Sequence, residues 1–472
     1  MRDWLGPYFS IFILCSVVLI ASAAWIPALW FLGFVALLPF YFVVDSVSRV
    51  RSFKFIAIFV FLTALVFAFP LLSYRSVQSL TPTGSQHLIL DTIFLSYVLA
   101  LAALAITALW APLVFIKKWQ WRVFVVPFAW VTFEFIKAKL SLGLQWVSVG
   151  EILVDFLPLG IFARFGGVLL LSFFLIGINI SFYEGIKSLA EKRRIHLLFG
   201  VLMFWILLSA ASASYMALYE KDLPSSKKLT VAVIQPGSLF EQKTKKNYFV
   251  SLARRTREAV RPEALPPVDL LIFPGNFFGS FRQENFPKNP AEKILGFRPL
   301  ASTTIVGFTL VEGSLKYQAN AVVFADKSEF AYKENLLPFA DYIPTAINAV
   351  SGGVKKLASG YSGRTNNPII FSDGRKVAIV SCSEEFIPSL FSRLTEKGAK
   401  VVIVSGSNDD FSSQTAYFEA LRTSRLRALE NGVWVIQAMK SGISAIINPL
   451  GRVTASLEKD EKGVLVGDIF YH

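Results

Sequence analysis

Histidine and cysteine are nearly missing from this 472-residue chain, which holds three of the first and two of the second. His87, His196 and His472 are scattered, which suggests neither a zinc site nor a Ser-His-Asp triad. Cys15 and Cys382 alone build no disulfide framework. Charge is scarce too: 17% of residues are charged and 54% are hydrophobic, a balance that points to a membrane protein. The formal net charge of +14 suggests nucleic acid until its distribution is read. Much of the basic charge in the first half lies in short loops between apolar runs, the placement expected beside anionic lipid. Nucleic acid is therefore not an expected partner.

What is abundant is long apolar sequence. Seven spans are expected over 8–26, 28–47, 53–73, 91–114, 121–138, 158–183 and 196–216. Several exceed the ~20 residues that cross a hydrocarbon core. Basic residues sit in alternate loops: Arg49, Arg51 and Lys54, then Lys117, Lys118 and Arg122, then Lys187, Lys192, Arg193 and Arg194. The positive-inside rule makes those loops cytoplasmic, and an odd number of spans puts everything after residue 217 outside the cytoplasm. The first span reads as uncleaved, because no Ala-x-Ala site leads into a polar mature region. Glu134, inside the fifth span, requires a partner or water. It either pairs with Lys137 or Lys139 or helps line a lipid-facing substrate entry.

Residues 218–228 are mostly polar and read as a linker. Beyond them short β-prone runs alternate with polar segments over 229–472. Strands are expected at 229–237, 268–276, 302–310, 318–326, 376–384, 399–407 and 432–440, and amphipathic helices at 249–260 and 414–432. Runs apolar enough to be buried on both faces indicate an α/β domain. A strand, a turn and a strand are expected over 442–457, and no apolar 20-mer follows, so the reading ends the chain outside the membrane. Cys382 stands where the run VAIVS stops and is the only cysteine after residue 217. It is either a buried small hydrophobe or a nucleophile at a strand end. A reactive thiolate needs a positive neighbour, and Lys333 in AYKENLLPFADYIP is the candidate.

Several segments, in order, resemble apolipoprotein N-acyltransferase, a membrane-embedded family of the nitrilase superfamily. They are WVTFEFIKAKLSLGLQW (130–146), YKENLLPFADYIP (332–344), CSEEFIP (382–388), SNDDF (407–411), RALENG (427–432) and SGISAIINPLG (441–451). The resemblance implies an α-helical membrane bundle followed by a nitrilase-like α-β-β-α sandwich. It implies a bacterial inner-membrane enzyme whose catalytic domain faces the periplasm or exterior. Cys382 matches the family nucleophile, Lys333 its lysine and Glu384 a supporting glutamate, while Asp341 takes the place of a second acid, one methylene shorter. Trp146 closes the membrane motif and, with Glu134, marks substrate entry. The base glutamate of the family falls on Gly275 in IFPGNFF.

Glycine neither takes the thiol proton nor activates an amine. Glu284, Asp341, Glu384 and Glu385 are the acids available to substitute, Glu384 preferred because it lies so close to the nucleophile. The implied chemistry is acyl transfer from a membrane phospholipid, through a Cys382 thioester, to the amine of a diacylglyceryl lipoprotein, with no metal or cofactor. Gly275 favours an alternative, a non-catalytic relative that binds lipoprotein or phospholipid. A membrane-tethered amidase is a third reading. Ser383, Leu144-Gln145 and Phe411 also depart from the family's residues, and its last membrane span has no counterpart.

Overall fold

The computed structural model describes residues 9–47, 86–140, 148–191, 195–222, 227–236, 268–277, 280–282, 301–324, 328–336, 341, 361–371, 374–407 and 414–471. Its contacts divide the chain into two units, Met1–Ala217 and Leu218–His472.

The first unit is helical. α1 (Phe9–Trp25) is followed by a 3-10 segment, Pro27–Phe34, and then by α2 (Leu38–Val47). The expected span over 28–47 is therefore built of a 3-10 part and an α-helical part, with a break between them. A buried side chain supports the break: Asn179 Oδ1 accepts from Leu37 N at 2.9 Å, and Asn179 Nδ2 donates to Gly33 O at 2.8 Å. Backbone groups freed from a helix in apolar surroundings require such a substitute. α3 (Gln86–Phe115) and α4 (Trp119–Leu140) follow, then a 3-10 turn (Val149–Val154), α5 (Leu157–Gly160), α6 (Ala163–Ala190) and α7 (Ile195–Asp222). α6 is interrupted at Gly166 and Gly167, and Gly167 takes a φ of 61° that suits glycine.

Phe40, Tyr41, Ile106, Leu109, Val126 and Ile176 pack the core of this unit. Two ion pairs join its described helices: Lys187 with Asp45 at 3.0 Å and Arg122 with Glu184 at 3.1 Å. Arg122 also caps α3 through the carbonyls of Leu113 and Ile116. Among the described residues two helical stretches, Pro27–Ser46 and Ala163–Ala190, are long and apolar enough to cross a membrane. The expected span at 53–73 and the expected helix at 249–260 lie outside the described residues.

The second unit is a two-sheet sandwich. Its strands are β1 (Lys227–Gln235), β2 (Val268–Phe273), β3 (Ser280–Arg282), β4 (Ala301–Glu312), β5 (Leu315–Val323), β6 (Ser328–Tyr332), β7 (Ile369–Ile370) and β8 (Lys376–Ser381). After α8 (Pro388–Glu396) come β9 (Val401–Gly406), α9 (Gln414–Asn431), β10 (Trp434–Met439), β11 (Ser444–Ile447), β12 (Val453–Leu457) and β13 (Gly463–Tyr471). One sheet runs β13-β1-β2-β4-β5-β6, with β3 on β4, and the other runs β12-β11-β10-β9-β8-β7.

Alternation along the strands sets the layers. Ile379 and Ile403 turn inward against Val233, Ile272, Ile305 and Val322 of the facing sheet. Their neighbours Val380, Val402 and Val404 turn outward beneath Leu390 and Phe391 of α8 and Ala428 of α9. The sequence reading missed β3, β6, β7 and β13. Each is short or half-exposed, so its apolar signal is weak.

Candidate active site

β8 is buried from Val377 to Ser381 and stops abruptly. The stop is a capping box: Ser381 and Glu384 each accept the other's backbone N–H, opening a 3-10 turn over Cys382–Phe386. Cys382, first in the turn, has a φ of 51°, a left-handed conformation that a residue with a Cβ adopts at a cost of about 1 kcal/mol. It is half-buried, and its Sγ lies 3.9 Å from Ser407 O at the end of β9. The thiol stands at a sharp turn at the carboxyl end of a parallel strand, a place where α/β folds put ligands and chemistry.

Lys333 follows β6 and is 2% exposed. Its Nζ donates to Asp341 Oδ2 at 2.6 Å. Its backbone N–H is held by Gln318 O at 2.9 Å. Burial pulls the Lys333 pKa down, but the charges of Cys382 and Asp341, the Asp341 hydrogen bond and Glu384 outweigh it, and the net direction is up. The lysine is an ammonium in the field of the Cys382 sulfur.

Glu384 is fully buried and surrounded by donors. Oε2 accepts from Ser381 N at 2.8 Å, and Oε1 accepts from Glu334 N and Asn335 N, both at 2.9 Å. Burial pushes this carboxyl up, against the pull of those N–H groups and of Lys333. Its position ties the cysteine turn to the lysine segment, and both oxygens are already engaged.

Gly275 follows β2 and enters the same region as bare backbone. A Cβ there would lie 2.9 Å from Ser405 O and 3.1 Å from Gly406 Cα. A Cβ on Gly307 would lie 2.5 Å from Gly275 Cα, and one on Gly406 would lie 3.2 Å from Cys382 Cα. Three glycines thus let main chains from β2, β4 and β9 stack beside the cysteine. The adjacent Asn276, at a φ of 54°, accepts from Thr309 Oγ1 at 3.1 Å.

Residues 176–470 match the carbon-nitrogen hydrolase family. The chain belongs to that family. Residues 16–181 match the apolipoprotein N-acyltransferase N-terminal domain, and the two together are a family-level match to apolipoprotein N-acyltransferases. The apolipoprotein N-acyltransferase of Azotobacter vinelandii is 26% identical over 72% of this chain and 66% of its own length. That of Geobacter metallireducens is 24% identical over 73% of this chain and 67% of its own. The chain thus spans about two thirds of the length of these curated relatives, slightly less for the first. The crystal structure of Saccharomyces cerevisiae Nit3, a member of branch 10 of the nitrilase superfamily, aligns with a TM-score of 0.40 at 16% identity, covering 52% of this chain and 90% of that one. The relatives are bacterial, and with the two membrane-length helices they support a multi-pass, inner-membrane location.

Cys382, Lys333, Asp341 and Glu384 come together in the second unit, and Glu385 does not join them. Glu385 points behind the turn, where Ser424 Oγ donates to it at 3.4 Å from α9 and Arg427 lies near. Burial pushes its pKa up to about 8, against those two neighbours. Glu284 and Trp146 lie outside the described residues. Glu134, in the first unit, is buried and accepts from Val149 N at 3.0 Å. Lys137 shares the field of Glu134 and Glu151, whereas Lys139 lies over the Phe135 ring, 5.7 Å from its centroid. The sequence reading overlooked Asn320, Ser381 and Ser405, which meet beneath the cysteine turn. Their signal was faint: a polar residue inside each of three apolar strand runs.

Proposed function

We propose that the protein moves an acyl chain from a membrane phospholipid, through a Cys382 thioester, to the N-terminal amine of a diacylglyceryl-modified lipoprotein. The names of the relatives supply the reaction class, and one observation carries the chemistry: a buried Lys333 held by Asp341 in the field of Cys382. An ammonium there favours the thiolate.

A glutamate at Gly275 would take the thiol proton and later activate the amine; here the Lys333 ammonium favours the thiolate from the start, and the lysine, once neutral, takes the amine proton. The thiolate attacks the sn-1 ester carbonyl, and the oxyanion forms beside the Lys333 ammonium and the backbone N–H groups of the turn. As the C–O bond breaks, Lys333 gives its proton to the departing lysophospholipid oxygen. The sulfur is now a neutral thioester. Of the influences on Lys333, burial lowers its pKa and the Cys382 charge raises it, so acylation removes a support and eases loss of the proton. The neutral amine of the acceptor then attacks the thioester, Lys333 takes its proton, and the C–S bond breaks to return thiolate and ammonium. Ester and amine have become amide and alcohol, with every proton accounted for.

The catalytic residues on this reading are Cys382 and Lys333. Asp341 holds the lysine charge, and Glu384 holds the turn. The unit after residue 217 works outside the cytoplasm, and Glu134 stands at the substrate entry of the membrane unit. Gly275 favours a second reading, binding without turnover, since no carboxylate projects from that backbone. The deciding experiment is intact-mass measurement after incubation with a defined phospholipid, beside Cys382→Ala. The reading requires a gain of one acyl group, absent in the variant and discharged by a lipoprotein amine. No adduct between pH 6 and 9 on folded protein overturns it in favour of binding alone.

A further inference from the structure

Asn320 lies mid-strand in β5 and is 2% exposed. Its Nδ2 donates to Ser381 Oγ at 3.1 Å, and its Oδ1 accepts from Ser405 Oγ at 2.6 Å. The two serines face each other across the parallel β8/β9 ladder. Ser381 directly precedes Cys382, and Ser405 precedes Gly406, against which the Cys382 backbone rests.

The other side of Asn320 leads to the lysine. In its own sheet Asn320 stands opposite Ala331, two residues before Lys333, and opposite Gly307, which abuts Gly275. Gln318, two residues earlier in β5, accepts the Lys333 backbone N–H. One amide thus spans the gap between the sheets. It joins the strand to which Lys333 is laced to the two strand ends that present Cys382. The surrounding interface is apolar, formed by Val322, Ile379 and Ile403 among others. A polar group placed in it is costly unless every bond is made, and when made it fixes one arrangement.

Glu384 ties the cysteine turn to the residues after Lys333, and Asn320 ties the strand beneath the turn to the strand before it. We infer that Asn320 is a positioning residue that sets the approach of the Cys382 sulfur to the Lys333 ammonium. The inference rests on the reading of Cys382 as the nucleophile. An apolar side chain of similar volume fills the space but leaves β8 and β9 free to shift along β5, and displacement of a reacting atom by about 1 Å is costly.

The test is the pH dependence of Cys382 alkylation by iodoacetamide in the full-length protein, followed on the Cys382 peptide by mass spectrometry so that Cys15 does not interfere. Asn320→Leu should raise the midpoint by about one pH unit, a roughly tenfold slower reaction at pH 7, while unfolding stays cooperative. A role in packing alone lowers the melting temperature and leaves the midpoint unmoved, which overturns the inference. Lys333→Ala separates the two levels. If it raises the midpoint and Asn320→Leu does not, Asn320 alone is misassigned; if it does not, the nucleophile reading falls and this inference falls with it. Should Asn320→Leu fail to fold, Ser405→Ala removes one of the two bonds and must shift the midpoint in the same direction; an unmoved midpoint there is equally fatal.

Discussion

Lys333 Nζ and Asp341 Oδ2 stand 2.6 Å apart with both side chains buried. Removing one member of such a pair leaves a desolvated charge and costs about 3–5 kcal/mol. Asp341→Asn takes away two of the supports that raise the Lys333 pKa, so the ammonium and the thiolate it favours both weaken. Acyl-enzyme formation, read by intact mass against time, should slow by about 10²-fold. Asp341→Glu, which restores the longer acid, adds a methylene to a contact already closed and should slow the reaction as well, by overpacking.

Gly275→Glu is the obvious attempt at rescue, and the backbone stack predicts that it fails. The first carbon of any side chain meets Ser405 O at 2.9 Å and Gly406 on the same side, and neither is a flexible tip. Gly275→Ala should already destabilise the second unit by about 1–3 kcal/mol, and Gly275→Glu should lower the melting temperature without speeding acylation. A faster acyl-enzyme in Gly275→Glu at unchanged melting temperature contradicts this.

Glu385 makes stability fall as pH rises. Burial pushes its pKa up to about 8 in the folded protein, above the ordinary 4.5, so the native state keeps the proton that the unfolded chain has released. Between those two values the native state binds more protons, and stability declines with pH; below the lower value and above the upper one this group adds no slope. Glu385→Gln removes the decline. Thermal melts across pH 5 to 9 should show the variant gaining most at the alkaline end, on the order of a few kcal/mol at most.

Asn179 carries the break in the first membrane hairpin. Asn179→Leu strands Leu37 N and Gly33 O in apolar surroundings, each stripped of its side-chain partner. A loss of about 2–3 kcal/mol is expected, measured as earlier unfolding in detergent. The variant should leave the alkylation profile of Cys382 unchanged if the protein remains folded.

The sequence showed what periodicity and apolar length can show. The runs around Val231, Ile272, Val380, Ile403 and Ile436 are apolar on both faces, and the structure puts them in the two sheets. The motif order placed Cys382, Lys333, Asp341 and Glu384 on a shared list, but their meeting depends on two turns and a ladder that no local pattern encodes. Glu385 illustrates the limit. It is adjacent to Glu384 in the chain, yet the tight 3-10 turn sends the two carboxyls to different surroundings. The interruption at Pro27–Phe34 was hidden for a similar reason, since its support comes from Asn179, remote in sequence. Hydropathy reports how apolar a segment is, not who satisfies its backbone.

β13 lies beside β1 along its whole length, from the Lys227–Tyr471 pair to the Gln235–Gly463 pair. The first strand of the unit therefore gains that neighbour only when the last strand is in hand. Loop closure over nearly the whole unit precedes any reward from that ladder. Until then β1 shows an open hydrogen-bonding edge along a buried, apolar strand, the kind of surface that pairs with a stray chain. Folding of this unit therefore carries the entropy cost of that long closure, and a chain that has not made it is the form most open to aggregation and proteolysis.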